Sequence, residues 1–172
     1  HGSSYQSWMW KRHAGFDVVT YTGSGDGNGG QPVSHGLSKT PEMVWIKRRD
    51  GSGNNWFVYH LGANGGTNPE NYALYLNTDG QQVNIGSAWM TPTATHITFG
   101  SDSTSYNRED YEYLMMLFAS VNGISKVGYY TGNASGNVAL NCGFTPRFFM
   151  TKATEAATGW LMVDNLRDVN MG

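Results

Sequence analysis

The chain has 172 residues, 39% of them hydrophobic, which is enough for one sizeable core or two small ones. Only 14% are charged, the formal net charge is -2, and the one basic run is Lys47-Arg48-Arg49, so we expect no nucleic-acid partner. The longest strongly apolar stretch, Leu114 to Ala119, is too short to cross a bilayer, and we expect no membrane insertion. A single cysteine, Cys142, excludes an intrachain disulfide.

The composition favours β-structure. Twenty-three glycines stand beside 10 tyrosines, 7 phenylalanines and 6 tryptophans. Aromatic residues favour pleated surfaces, and glycine serves turns that need a positive φ. This combination predicts many short strands joined by tight turns.

Apolar residues that alternate with polar ones, between Gly and Asn positions, predict the individual strands. In chain order these are 17–22, a short strand near Val33, 42–47, 55–60, 72–77, 96–100 and 111–120. The last segment is rich in Leu and Met, and by propensity alone it would also suit a helix. We favour a strand there because the surrounding segments are all β.

An internal repeat relates the two ends of the chain. Tyr21-Thr22-Gly23 is matched by Tyr130-Thr131-Gly132, Thr40-Pro41 by Thr145-Pro146, and the Trp56 segment by the Trp160 segment, in the same order. Each Thr-Pro step marks the entrance to a strand, because proline holds the preceding residue in extended geometry. The second copy has no counterpart of residues 72–120, so either it is truncated or its strands complete the sandwich of the first.

These patterns together predict an all-β fold, an antiparallel β-sandwich of jelly-roll-like character with an internal repeat. We predict that residues 1–15 are a linker or N-terminal segment and that residues 16–127 form the first β-repeat unit. Residues 128–172 are then a partial second β-repeat, packed on or following the first.

Motifs for catalysis are weak. The loop from Gly23 to Gly30 lacks the Lys-Ser/Thr pair of a phosphate loop, the histidines have no zinc-ligand spacing, and Cys142 is not in a nucleophile elbow. The carboxylates that could be nominated for glycoside cleavage have no separation that the sequence reveals; they are Asp50, Glu70, Asp79, Asp102, Glu109 and Asp110. We therefore predict no catalytic residues, no metal site and no enzyme activity.

One polar loop is a weak calcium candidate, because calcium accepts oxygen ligands in irregular geometry. Its residues are Asp102, Ser103, Asn107, Glu109 and Asp110. No glycine turn of a calcium loop accompanies them, so a solvated loop is the favoured interpretation and no cofactor is predicted.

The aromatic residues divide by their position. Trp45, Trp56 and Trp160 fall in predicted strands and are interpreted as core residues. Trp89 lies between strands, where it would either pack against a neighbouring subunit or stack on the face of a sugar. We therefore nominate Trp89, Tyr106, Asn107 and Asp102 as ligand-contact residues.

Several runs in matching order carry a family resemblance. They are Trp10-Lys11-Arg12, Gly15 to Gly23, Ser34-His35-Gly36-Leu37, Pro41-Glu42-Met43, Leu117 to Ser120, and Tyr130 to Asn133. Together they resemble a domain family found in tail-fibre and related structural proteins of marine bacteriophages. The similarity extends from about Tyr5 to the end of the chain.

This resemblance implies a non-catalytic structural or attachment module of a phage virion, found in the virion or outside the cell. Its expected partners are other virion proteins and like subunits, as a homo-oligomer and most plausibly a trimer, with a host-surface glycan as a further ligand. The alternatives are a stand-alone carbohydrate-binding module and, less favoured, a glycan-cleaving enzyme domain.

Overall fold

Short antiparallel strands make up most of the regular structure in the computed structural model, which describes residues 7, 9–12, 14–25, 32–86, 88–100 and 105–165. The strands are β1 (Phe16–Thr22), β2 (Val33–Ser34), β3 (Met43–Arg48), β4 (Phe57–His60), β5 (Tyr72–Tyr75), β6 (Val83–Asn84), β7 (Met90–Pro92), β8 (His96–Phe99), β9 (Glu112–Phe118), β10 (Phe148–Thr151) and β11 (Leu161–Asp164). Two 3₁₀ turns, Ala63–Gly66 and Pro69–Asn71, lie between β4 and β5. We find no helix in the described ranges that is long and apolar enough to span a bilayer.

The strands form three antiparallel sheets. The largest has the order β1-β9-β3-β4-β5-β6, the second the order β2-β8-β7, and the third is the hairpin β10-β11. β9 lies at the centre of the first unit, where it pairs with β1 over seven residues and with β3 over six. Its hydrogen bonds therefore join the start of the chain to the hairpin β3-β4.

Both faces of the six-stranded sheet are covered by apolar side chains. The inner core lies between this sheet and the β2-β8-β7 sheet; its buried residues include Val44, Ile46, Phe57, Tyr59, Trp89, Ile97, Phe99, Tyr106, Tyr113, Met115 and Leu117. The outer core is built on the opposite face from Phe16, Trp45, Val58, Leu74 and Phe118, against which Met150 and Trp160 pack. A strand buried on both faces needs apolar residues at consecutive positions, which explains the Leu- and Met-rich sequence of β9.

The all-β sandwich with antiparallel sheets is confirmed. The predicted strands of the first unit are present with small differences at their ends, and segment 111–120 is a strand rather than a helix. Two strands were missed, β6 and β7, because each is only two or three residues long. β7 includes Pro92 and lies at the edge of its sheet, where a residue without an N–H is tolerated.

The second copy of the repeat differs from the expectation in one place. The counterpart of β1 around Tyr130 is not a strand, and residues 126–147 contain no strand at all. In the first unit β1 pairs only with β9, and the described residues hold no counterpart of β9 in the second copy. The domain bounds 16–127 and 128–172 stay a prediction.

Asp17 is a buried carboxylate that joins three segments. Its Oδ1 accepts hydrogen bonds from Arg12 Nε at 2.5 Å and from the N–H of Val18 at 2.9 Å, and its Oδ2 accepts one from the N–H of Gly36 at 2.6 Å. Burial alone would raise the pKa of Asp17, but these hydrogen bonds, with the charge of Arg12, hold it below its usual value. The carboxylate thus fixes the N-terminal segment and the loop after β2 to the start of β1.

We predict that Asp17→Ala lowers the free energy of unfolding by about 3 kcal/mol, because it leaves buried N–H donors without an acceptor. Urea unfolding measures this. Glu112→Ala is the control, since the ion pair of Arg49 and Glu112 is about half exposed on both sides and its loss should cost less than about 1 kcal/mol. Equal losses in the two variants would contradict the assigned role of Asp17.

His60, at the end of β4, is a partly buried titratable group. Its Nδ1 accepts a hydrogen bond from the N–H of Gly62 at 3.0 Å, which requires a neutral ring nitrogen at that position. Burial lowers the pKa of His60 to about 4, against the opposing effect of Glu42.

We predict that stability is full above about pH 6.5 and falls as the pH drops towards 4, because the unfolded chain binds the His60 proton first. The loss is at most about 3 kcal/mol. His60→Asn, which keeps an acceptor near the Nδ1 position but does not titrate, should flatten this part of the stability profile in urea unfolding. An unchanged slope in the variant would assign the effect to another group.

Candidate interaction surface

Trp89 is not available to a ligand. Its side chain is only 1% exposed, its Nε1 donates to the carbonyl oxygen of Tyr72 at 2.9 Å, and its ring packs on those of Phe57 and Tyr106. The prediction that Trp89 forms a contact surface is therefore wrong. The reason is that the segment before β7 folds over the inner core, so that Trp89 closes one end of it.

Tyr106 and Asn107 are also interior residues, which corrects their nomination as surface contacts. Tyr106 is 1% exposed and its carbonyl oxygen accepts the hydroxyl of Tyr21. Asn107 Oδ1 accepts the N–H of Ser24 at 3.1 Å, and its carbonyl oxygen accepts the N–H of Gly25 at 2.9 Å. These bonds connect the segment before β9 to the loop after β1, and they leave neither side chain free for a ligand.

Only three of the five residues considered as calcium ligands, Asn107, Glu109 and Asp110, lie in the described part of the polar loop. Asp102, nominated for ligand contact, and Ser103 lie outside the described residues, Asn107 is occupied by the contacts to the β1 loop, and Glu109 and Asp110 are exposed in a turn. Within the part of the chain that the structure describes, no three His, Cys, Asp or Glu side chains are grouped as metal ligands.

Tyr111 lies beside this turn, and its ring face is covered by cations. The guanidinium carbon of Arg48 is 3.6 Å from the ring centroid, and that of Arg108 is 4.5 Å from it. Arg48 is in turn held by Asp50, through its Nε. The stacking surface of Tyr111 is thus used within the protein.

The exposed apolar side chains are concentrated after β9. Those at least 38% exposed in this region are Ile124, Tyr129, Tyr130, Leu140, Leu161 and Met162. Tyr129 rests on the first 3₁₀ turn, where a Cβ at Gly62 would lie 2.3 Å from its own Cβ. Glycine at position 62 therefore permits the segment after β9 to approach the first unit closely.

The hairpin β10-β11 repeats the hairpin β3-β4 in register. Met43 pairs with His60 and Ile46 with Phe57, as Phe148 pairs with Asp164 and Thr151 with Leu161. The flanking hydrogen bond is repeated as well: Leu61 N–H donates to the carbonyl oxygen of Glu42 at 2.8 Å, and Asn165 N–H to that of Arg147 at 3.0 Å.

A lysine closes the loop of each hairpin in the same way. Lys47 Nζ donates to the carbonyl oxygen of Asn54, and Lys152 Nζ donates to that of Thr158. Lys152 also donates to the carbonyl oxygen of Asp79, at 2.9 Å, which attaches the second hairpin to the first unit. The sequence repeat is therefore a structural repeat at the level of this hairpin.

The two faces of β10-β11 have different surroundings. Met150 and Trp160 pack on the outer core, and Trp160 Nε1 donates to the carbonyl oxygen of Tyr75 at 2.8 Å. Since side chains alternate along a strand, the other face carries Phe149, Thr151, Leu161 and Val163, which we call the open face. Its counterparts Val44, Ile46, Phe57 and Tyr59 are all buried in the inner core, whereas Leu161 is 49% exposed.

This surface is not among the sequence predictions, although the sequence contains a signal for it. The repeat aligns Phe57 with Leu161 and Val44 with Phe149, so the apolar face was visible in the sequence. Its exposure follows from the absence, among the described residues, of a second copy of the sheet that covers the first hairpin.

We predict that Trp89→Ala lowers the free energy of unfolding by about 3 to 5 kcal/mol, because it empties a large site in the inner core. Trp10→Ala is the control, since Trp10 is 40% exposed and should cost much less. Thermal and urea unfolding measure both. A Trp89→Ala variant with a nearly unchanged free energy of unfolding would contradict the burial of this indole in the inner core.

Comparisons with known proteins place the chain in a family. Searches of curated proteins and of solved structures returned no match. A family model described as a domain of unknown function, DUF7483, matches residues 2–171 and so includes both the first unit and the second hairpin. The chain belongs to this DUF7483 family.

Proposed function

We propose that this chain is a non-catalytic structural and attachment module of a phage virion, and that it assembles with copies of itself through the open face of β10-β11. The open face is the observation that carries the proposal. An apolar surface whose counterpart within the same chain is core is the kind of surface that proteins bury in an interface.

The first unit is suited to a structural role. Its central sheet is covered on both faces, and its large aromatic side chains, Trp89, Tyr106 and Tyr113 among them, are used for packing. The resemblance to tail-fibre and related proteins of marine phages supports a place in the virion. Repetition of one weak contact in a homo-oligomer, for which we propose a trimer, would raise the avidity of attachment.

A carbohydrate-binding module is the second candidate function. Tyr129 and Tyr130 are 57% and 45% exposed, and they are the rings that a host-surface glycan can reach in the second unit. This candidate predicts saturable glycan binding by the monomer, with loss of binding in Tyr130→Ala and retention in Leu161→Lys.

We predict that the chain forms an oligomer in solution and that Leu161→Lys shifts it to the monomer, because a charge on the open face opposes its burial. Light scattering after size-exclusion chromatography, with native mass spectrometry, measures the mass. Ile124→Lys is the matched control, since Ile124 is 57% exposed in a turn outside the open face. A monomeric wild-type protein, or equal effects of the two lysines, would contradict assembly through this face.

A further inference from the structure

The edge of β10 that faces away from β11 corresponds to the edge of β3 that pairs with β9 in the first unit. In that unit β3 has β4 on one side and β9 on the other. In the second unit β10 has β11 on one side, and no described strand lies on the other. The repeat thus identifies an edge of β10 along which no strand is described, and the kind of strand that pairs with this edge in the first copy.

The hydrogen-bonding groups of this edge follow from the register. Residues opposite each other in an antiparallel pair alternate between hydrogen-bonded and non-hydrogen-bonded pairs. Arg147 and Asn165 form a hydrogen-bonded pair, so Met150, three residues further on, directs its N–H and C=O away from β11. Trp45 is the counterpart of Met150 in the first unit. The N–H of Arg49 donates to the carbonyl oxygen of Glu112, so by the same alternation the N–H and C=O of Trp45 point towards β9.

A second segment, the counterpart of β1, also pairs with no described strand. β9 lies between β3 and β1, and the repeat matches β1 with the segment around Tyr129 and Tyr130. Residues 128–132 form no backbone–backbone hydrogen bond with other described residues. Its two tyrosines favour a β-strand, so it could pair with an added strand as β1 pairs with β9.

We infer that the second unit is a strand acceptor, which binds an extended segment of a partner polypeptide antiparallel to β10. The segment has the chemistry of β9, with apolar side chains at consecutive positions. The apolar side chains on one face of the added strand would lie beside those of the open face. Met115 and Leu117 of β9 lie in this way beside Ile46 and Val44 of β3. Main-chain hydrogen bonds supply affinity in such strand addition, and the alternate side chains supply specificity.

This inference deepens the proposed assembly role and rests on it only in requiring that the second unit be an interaction surface. The probe is a synthetic peptide with the sequence of residues 112–119 between lysine flanks, added to the full chain. Fluorescence anisotropy measures its binding, and hydrogen exchange with mass spectrometry locates it. We expect new protection at the amide of Met150 and in residues 128–132, and none in β3.

On the protein side, Met150→Pro should weaken peptide binding by roughly tenfold or more, because proline removes an N–H that meets the new strand. Met150→Ala keeps that N–H and should retain most of the affinity. Thr20→Pro is the matched control for proline in an edge strand. The N–H of Gly23 donates to the carbonyl oxygen of Tyr111, next to β9, so the N–H of Thr20, three residues earlier, points away from β9. This variant should bind the peptide as the wild type does.

Peptide variants test the same geometry without changing the protein. The residues of β9 that face β3 are Leu114 and Met116, and those that face β1 are Met115 and Leu117. N-methylation at the positions of Leu114 and Met116 should abolish binding. N-methylation at those of Met115 and Leu117 should leave binding in place but remove the protection of residues 128–132.

The outcomes separate this inference from the proposed function. Absence of binding, or equal binding to both N-methylated peptides, overturns the strand acceptor, while assembly through the open face would still be judged by the Leu161→Lys result. Protection confined to the first unit would also overturn it, since that would mean that the peptide replaces β9. Peptide binding by a monomer that does not self-associate supports the acceptor and contradicts only the homo-oligomer.

Discussion

The pairing of β9 with both β1 and β3 is the constraint on which the first unit depends. β9 is distant in sequence from both partners, and its register with each fixes which side chains enter the inner core and which the outer core. A shift by one residue would exchange Met115 and Met116 between the two faces. Since both faces are covered, the strand must be apolar from Tyr113 to Phe118, and its register positions the side chains of both cores.

The second unit contains a hairpin of the same register, β10-β11, for which no described strand takes the place of β9. Register, flanking hydrogen bond and loop-closing lysine are all repeated in β10-β11. The segment that corresponds to β1 nonetheless pairs with none of the described strands, and on the open face Leu161 is half exposed. Hairpin formation is therefore a local property of this sequence, whereas the β1-type strand and the burial of the hairpin both need a β9 partner. This contrast underlies the proposed role in assembly.

Much of the fold could be predicted from the sequence, because period-two alternation and turn residues act locally. The strand at 111–120 and the matching of the Trp56 and Trp160 segments are of this kind. The candidate site could not be predicted in the same way. Trp89 and Tyr106 were nominated because they lie outside obvious strands, but whether a loop aromatic is buried depends on which distant segment folds over it. Tyr72, Phe57 and Ser24, which hold Trp89 and the neighbourhood of Tyr106 inside, are remote in sequence and carry no local signal of these contacts.

Native-state hydrogen exchange of the free chain is the decisive measurement, because it compares equivalent amides of the two units within one molecule. We predict that the amides of Trp45 and of β9 exchange only on global unfolding, while those of Met150 and residues 128–132 exchange rapidly under conditions in which the protein stays folded and monomeric. Protection of Met150 equal to that of Trp45 in the monomer would show that the edge of β10 is already covered, and would contradict the claim that the second unit is open.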